Sequence, residues 1–163
     1  MSVEKTAAAE AERQEVLAAL MERVPYNGFI GCSFERMGDE LTARLPFSMR
    51  NVGNPMLPAI HGGVIGAFLE ITAHGQLSWS QVQQVLDGGG AGAEEIRTGK
   101  FPPLPKTIDV SIDYLRSGRP RTTYARATVQ KRGRRVANVH VTAWQDERDR
   151  PIAMLRGNFL MPD

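Results

Sequence analysis

Val16, Leu17, Leu20, Met21 and Val24 recur at i, i+1, i+4, i+5 and i+8, the spacing of a helix with one apolar face. The pattern predicts an N-terminal helix within residues 1–24, stopped near Pro25 and Asn27-Gly28. The period then changes to two. SFERM and LTARLPF flank Gly38-Asp39-Glu40, and Leu41, Ala43, Leu45 and Phe47 alternate with other residues, which predicts a hairpin. RNVGNPMLP has the Asn, Gly and Pro content of a loop, and it leads into a second, longer helix from about Gly62 to about Leu86. Residues 87–105, DGGGAGAEEIRTGKFPPLP, show no usable period and predict a long loop insertion that either lies over or beside the site as a lid or is disordered. Four strand-like runs follow: TIDVSIDYL, TTYARATVQKR, RRVANVHVTAW and PIAMLRGNFLM. Their short connections predict consecutive antiparallel pairing. One helix cannot cover both faces of a sheet, so residues 1–163 are expected to form a single α+β domain in which the long helix lies across a curved antiparallel sheet.

The long helix carries one anomaly. At 100° per residue, Glu70 shares its stripe with Gly63, Gly66, Ala67, Ala73 and His74, while Ile65, Phe68, Thr72 and Trp79 occupy the opposite, bulky side. A carboxylate on a helix that is largely buried has to be paired, protonated or employed, because an unpaired buried charge is costly. The small stripe leaves room for a ligand or a second subunit to approach; tight helix packing with Glu70 paired to an arginine is the alternative. His74 lies one turn after Glu70, within hydrogen-bonding reach.

The start of this helix adds a second chemical element. AIHGGVIG places Gly62 and Gly63 at the first turn, where backbone N–H groups lack helical acceptors and the helix dipole favours negative charge. Glycine admits an oxygen close to those N–H groups, as in an oxyanion hole. Glu70 lies about 12 Å along the axis from Gly62, so one helix cannot bring both to one carbonyl; a neighbouring copy of the helix would close the gap.

Composition narrows the partners. Twenty Lys and Arg against 18 Asp and Glu leave a net charge of +2, too balanced for a nucleic-acid binder. The N-terminal 24 residues have charges every few positions and no apolar core, which argues against a signal peptide or membrane span and predicts a cytoplasmic protein. The single cysteine, Cys32, excludes an internal disulfide and reads as a small core residue; no His or Cys cluster has metal-ligand spacing.

HGGVIGAFLE resembles the signature of hotdog-fold acyl-CoA thioesterases of the phenylacetate-pathway and 4-hydroxybenzoyl-CoA type, a His-Gly-Gly followed by an acid nine residues after the His. TIDVSIDYLRSGRP, GRRVANVHVTAW and PIAMLRGNFLM are similar to the last strands of that family, and the resemblance covers roughly Val24 to Met161. It implies a hotdog fold, here with an extra N-terminal helix, and hydrolysis of an acyl-CoA to a carboxylic acid and free coenzyme A. It further implies Glu70 as nucleophile or general base, Gly62 as the oxyanion N–H donor, and a site shared between the subunits of a homodimer or a dimer-of-dimers tetramer. No separate cofactor is implied, since coenzyme A is part of the substrate.

Substrate-binding candidates are His61, Gly63, Asn54, Arg116 and Arg119. His61 is expected to fix the loop by hydrogen bonds. The family's Asn six residues before the His falls on Pro55 here, which leaves Asn54, one residue earlier, as its candidate. Arg116 and Arg119 belong to an arginine- and lysine-rich run reaching Arg135 that reads either as a solvated rim or as a clamp for coenzyme A phosphates. Ser111 and Asp113 fall opposite Ile108, Val110, Ile112 and Tyr114 and are expected to face water. Two other functions fit the same features less well. A non-catalytic acyl-CoA-binding or regulatory protein would not need both Gly62 and an ionisable Glu70. A hotdog hydratase or dehydratase carries a His where this chain has Met56.

Overall fold

The computed structural model of the chain describes residues 3–162; Met1, Ser2 and Asp163 lie outside the described residues. Helix α1 (Val3–Glu22) buries Val16, Leu17 and Leu20, the expected apolar face. Helix α1 stops just before Pro25, as expected, with Val24 in an extended conformation. Pro25 then opens a short helix α2 (Pro25–Ile30), because its fixed φ suits a first turn and its missing N–H is no loss there. Gly31 ends α2 at φ 81°, a left-handed conformation that glycine adopts without strain.

Strands β1 (Ser33–Met37) and β2 (Glu40–Leu45) form the expected hairpin, with Met37 opposite Glu40 and Leu41, Ala43 and Leu45 buried. A single 3-10 turn (Met49–Asn51) and a small ribbon of β3 (Val52–Asn54) and β4 (Ala59–Ile60) then deliver the chain into the long helix α3 (Gly62–Gly88). Among the described residues, no helix is long and apolar enough to cross a membrane.

The segment 87–105, expected to be all loop, contains helix α4 (Gly90–Arg97). Its glycines give it little intrinsic helix propensity, but Ala93 and Ile96 are buried, and tertiary packing overrides propensity. Strands β5 (Lys106–Tyr114), β6 (Thr123–Arg132), β7 (Val136–Trp144) and β8 (Ala153–Leu160) follow. The six-stranded antiparallel sheet has the order β1-β2-β6-β7-β8-β5. Consecutive pairing therefore holds for β6, β7 and β8 and fails for β5, which pairs with β8 at the far edge while β6 joins the N-terminal hairpin through β2. The crossing connection is anchored at both sides: Leu115 N–H donates to Ile152 O, and Gly118 O accepts from Ile60 N–H. Moving β5 to the edge beyond β8 widens the sheet around α3.

The bulky side of α3 supplies the core. Phe68, Leu69, Leu77 and Val82 are fully buried and share one apolar cluster with Leu45, Ala125, Val139, Val141, Leu155 and Phe159 of the sheet. One glycine of α3 marks how closely a strand approaches. A Cβ at Gly75 would stand 2.5 Å from the Phe34 ring of β1. Gly75→Ala gains up to about 1 kcal/mol in helix propensity, but overpacking against a buried ring costs about 1–3 kcal/mol. Urea unfolding is expected to show a net loss, relieved in the double variant with Phe34→Leu; a Gly75→Ala protein as stable as wild type would show that the ring is free to move.

Candidate active site

The N-terminus of α3 is built by hydrogen bonds converging on His61. Its backbone N–H donates to Asn51 O at 2.8 Å, and its Nδ1 accepts from Gly63 N–H at 2.9 Å, making His61 the cap of the helix. Asn51 is buried and donates Nδ2 to Ile30 O, so the loop is tied to α2. Gly53 lies against His61, where a Cβ would fall within 2.8 Å. From β5, the Tyr114 hydroxyl donates to Gly62 O at 2.7 Å. The Gly63 N–H, expected to serve a ligand, is thus taken by His61. The Gly62 N–H has no protein acceptor among the described residues.

The small stripe of α3 is only partly open. A Cβ at Gly66 would meet Ile112 Cδ1 at 3.0 Å and the Tyr114 hydroxyl at 3.2 Å, and one at Gly62 would touch the Tyr114 ring. The room expected for a ligand or second subunit along these glycines is therefore occupied by β5 of the same chain. The open part lies farther on, where Ala67, Glu70, Ile71 and His74 border a cavity of about 300 Å³. Its other walls are Leu20, Met21 and Val24 at the end of α1, Tyr26 and Asn27 of α2, and Leu104 and Pro105 before β5. The 87–105 segment thus contributes its last residues to the wall, while α4 is not part of it.

Among the described residues, Glu70 has no arginine partner. Its Oε1 accepts from the Thr107 hydroxyl at 2.5 Å, and the same oxygen of Thr107 is 2.9 Å from His74 Nε2. His74 Nε2 lies 3.9 Å from Glu70 Oε1. Since Thr107 spends its only proton on the carboxylate, it accepts from His74, which assigns the Nε2–H tautomer to a neutral imidazole. Burial holds the His74 pKa below its usual 6.5, with Glu70 acting in the opposite direction. The ring also meets Phe159 edge-on at 5.2 Å. Thr107 was not singled out in the sequence, for a specific reason. Strict alternation puts it on the outer face with Asp109, Ser111 and Asp113, but the register shifts between Thr107 and Asp109, and this bulge turns Thr107 inward opposite the buried Phe159.

Asn54 lies in β3, where its Oδ1 accepts from Met56 N–H and closes a turn; Asn51 is the asparagine that holds the His61 loop. Arg116 lines a polar cleft of about 410 Å³ with Ser117, Arg119, Gln145, Asp146 and Arg150. The Arg119 backbone N–H is held by Gln145 Oε1. Neither guanidinium forms an ion pair among the described residues, whereas Arg121 pairs with Asp146 and Arg126 with Glu40. Asp113 faces outward and pairs with Arg156. Cys32 is partly buried, and burial pushes its thiol up to about 12, which removes it as a nucleophile at neutral pH.

Residues 57–152 match the model of the thioesterase superfamily. The chain belongs to that superfamily. Membership places it among the thioester hydrolases, and the six-stranded sheet around a long helix is the hotdog architecture implied by the sequence. A crystal structure of a Chromobacterium violaceum protein is similar over 95% of this chain and 96% of that one, with 33% identity and a TM-score of 0.64. The Escherichia coli protein from the phenylacetic acid degradation operon, PaaI, shares the fold over 94% of this chain and 96% of its own, with a TM-score of 0.69 and 13% identity. A medium/long-chain acyl-CoA thioesterase of Escherichia coli strain K12, YigI, is 28% identical over 137 residues, which are 76% of this chain and 77% of that protein.

The half-buried His74, its pKa lowered by desolvation, sets a pH dependence for this thioesterase-superfamily domain. The folded state resists protonating the ring and the unfolded chain does not, so the unfolded state binds the extra proton, and stability falls as pH drops below about 6.5. His74→Gln keeps an N–H donor without a titrating group. Between about pH 7 and about pH 5.5, the urea midpoint of wild type is expected to fall more steeply than that of His74→Gln. Equal slopes would show that His74 titrates normally.

Proposed function

We propose that the protein hydrolyses acyl-CoA thioesters, with Glu70 and the Gly62 N–H as the reacting pair, each from a different subunit of a homodimer. The observation that carries the reading is the setting of Glu70: a carboxyl group fixed by a neutral hydroxyl, with no lysine or arginine partner among the described residues, at the border of an apolar cavity. An ion-paired structural acid would have its oxygens taken up by a cation; this one has one oxygen held by a hydroxyl and the other without a hydrogen-bond partner among the described residues.

The second subunit follows from β5. It is an edge strand whose outer edge has no partner among the described residues, and Ile108, Val110 and Tyr114 are 54%, 36% and 54% exposed. Thr107, at one end of β5, meets Glu70, and Tyr114, at the other end, meets Gly62. Antiparallel pairing of two copies of β5 about a two-fold axis near Val110 and Ser111 sets the Glu70 end of one subunit opposite the Gly62 end of the other. That closes the separation of about 12 Å along a single α3.

In such a site, the thioester carbonyl oxygen accepts from the Gly62 N–H at the positive end of α3, which stabilises the oxyanion of the addition step. Glu70 either attacks the acyl carbon to form an anhydride that water then opens, or takes a proton from the water that attacks. Both routes expel the coenzyme A thiolate and end in a carboxylic acid and free thiol, with water as the only co-reactant. Arg116 and Arg119, without an ion-pair partner among the described residues and carried on the loop that touches Ile60 just before His61, are the candidates for the phosphates of coenzyme A. The acyl-CoA activity named for YigI accords with this reading.

Free-thiol detection across a set of acyl-CoA esters tests it. Glu70→Gln keeps the Thr107 bond and the shape of the site, so substrate is expected to bind while kcat falls by at least about a hundredfold. A fully active Glu70→Gln enzyme would refute the role of Glu70, and a wild type that binds acyl-CoA without releasing thiol would make the protein a binder. Sedimentation is expected to report a dimer or a dimer of dimers; an active monomer would rule out the composite site.

A further inference from the structure

We infer that His74 is a positioning residue for Glu70: acting through the Thr107 hydroxyl, it fixes one carboxylate oxygen and leaves the other for the reaction, and by gaining a proton it turns the site down. This rests on the hydrolase reading of Glu70 and adds how that residue is oriented and regulated.

A threonine hydroxyl has one proton and rotates about its bond to carbon, so by itself it can donate to any acceptor within reach. Here the i, i+4 spacing places His74 beside Glu70 on one face of α3, and the bulge in β5 brings Thr107 to both. His74 Nε2 stands 2.9 Å from the hydroxyl oxygen, which is 2.5 Å from Glu70 Oε1. A bare Nε2 would compete with the carboxylate for the single hydroxyl proton. An Nε2 that carries its own proton donates to the oxygen instead, and the hydroxyl proton is left to Glu70. The ring meets Phe159 edge-on at 5.2 Å, which limits its own rotation. Two hydrogen bonds in series thus hold the carboxylate, and its Oε2 has no hydrogen-bond partner among the described residues.

Protonation changes the balance. Nε2 lies 3.9 Å from Glu70 Oε1, so an imidazolium stands in ion-pair range of the carboxylate and dulls it as a base or nucleophile. The surrounding elements neither supply nor cancel that charge among the described residues. Helix α1 and the segment before β5 bring only uncharged side chains to the cavity, and α2 brings Asn27 and the Tyr26 phenol, which cannot become a cation. Phe159 comes from β8. On β5, Lys106 lines a different cleft with Arg135, and Asp109 is held by Asn158. Burial opposes protonation of the ring and the charge of Glu70 favours it, so the switch operates on the acid side of neutrality.

The test follows thiol release from the acyl-CoA ester turned over fastest, between about pH 8 and about pH 5, for wild type, His74→Leu and His74→Gln. His74→Leu keeps bulk against Phe159 but has no donor; its kcat is expected to fall by about tenfold to about a hundredfold with KM little changed, the mark of a misplaced group. His74→Gln supplies an N–H again and is expected to recover most of that loss. Below about pH 6.5, wild-type kcat is expected to drop by a step of about tenfold that both variants lack. Nitrogen NMR of the imidazoles gives a readout independent of turnover: the Nε2–H tautomer of His74 is expected in wild type and a mixture of tautomers in Thr107→Val, and the His74 midpoint is expected to move lower in Glu70→Gln. A His74→Leu enzyme with wild-type kcat, or acid limbs that coincide in wild type and His74→Gln, overturns the inference, and the second comparison decides alone if His74→Leu fails to fold. A tautomer that Thr107→Val leaves in place overturns it as well. Absence of thiol release, with the tautomer and the shifted midpoint still seen, overturns the hydrolase reading and leaves the coupling of His74, Thr107 and Glu70 standing.

Discussion

Strand β5 lies along the face of α3 that has no bulk, and this contact organises the site. Gly62 and Gly66 let Tyr114 and Ile112 reach the helix, and one turn beyond them Thr107 reaches Glu70 and His74. A Cβ at Gly66 would crowd Ile112 Cδ1 and the Tyr114 hydroxyl at 3.0 and 3.2 Å, and one at Gly62 would rest on the Tyr114 ring at 3.5 Å, so any longer side chain at either position would push the strand away. Without that close approach, the Tyr114 bond to the first turn of α3 and the Thr107 bond to its carboxylate could not both form. The glycines thus serve the fold and the chemistry through one contact.

The same contact explains how the helix keeps an acid. A carboxylate is stable at a half-buried position if its charge is met by a donor and its other oxygen reaches polar surroundings. Thr107 provides the donor without cancelling the charge. His74, whose protonation burial opposes, donates its Nε2–H to the Thr107 oxygen and so directs the hydroxyl proton to the carboxylate. A lysine or arginine in place of Thr107 would stabilise the anion more strongly and dull it as a base or nucleophile. The chain of a neutral histidine, a hydroxyl and a carboxylate is a compromise between those demands.

Much of the outline was legible in the sequence because periodicity reports burial. The bulky face of α3, the β1–β2 hairpin and the run β6–β7–β8 follow from side chains whose period matches their surroundings. Three features were not legible. Helix α4 owes its existence to the burial of Ala93 and Ile96, while its local sequence is rich in glycine. Strand β5 pairs with β8, since connection length alone does not tell which edge a strand will take. Thr107 turns inward at a bulge that shifts the pairing by one residue and leaves no mark in composition.

The sequence by itself determined that a lone acid and a His-Gly-Gly turn share one helix, about 12 Å apart, because rise per residue is a property of the helix and not of its surroundings. The tertiary structure alone decided what stands next to each group. Asn51 replaced Asn54 as the support of the turn, and the space over Gly62 and Gly66 went to β5. Those outcomes depend on contacts between residues tens of positions apart, which are settled by how the sheet closes around α3 and cannot be read from any local pattern.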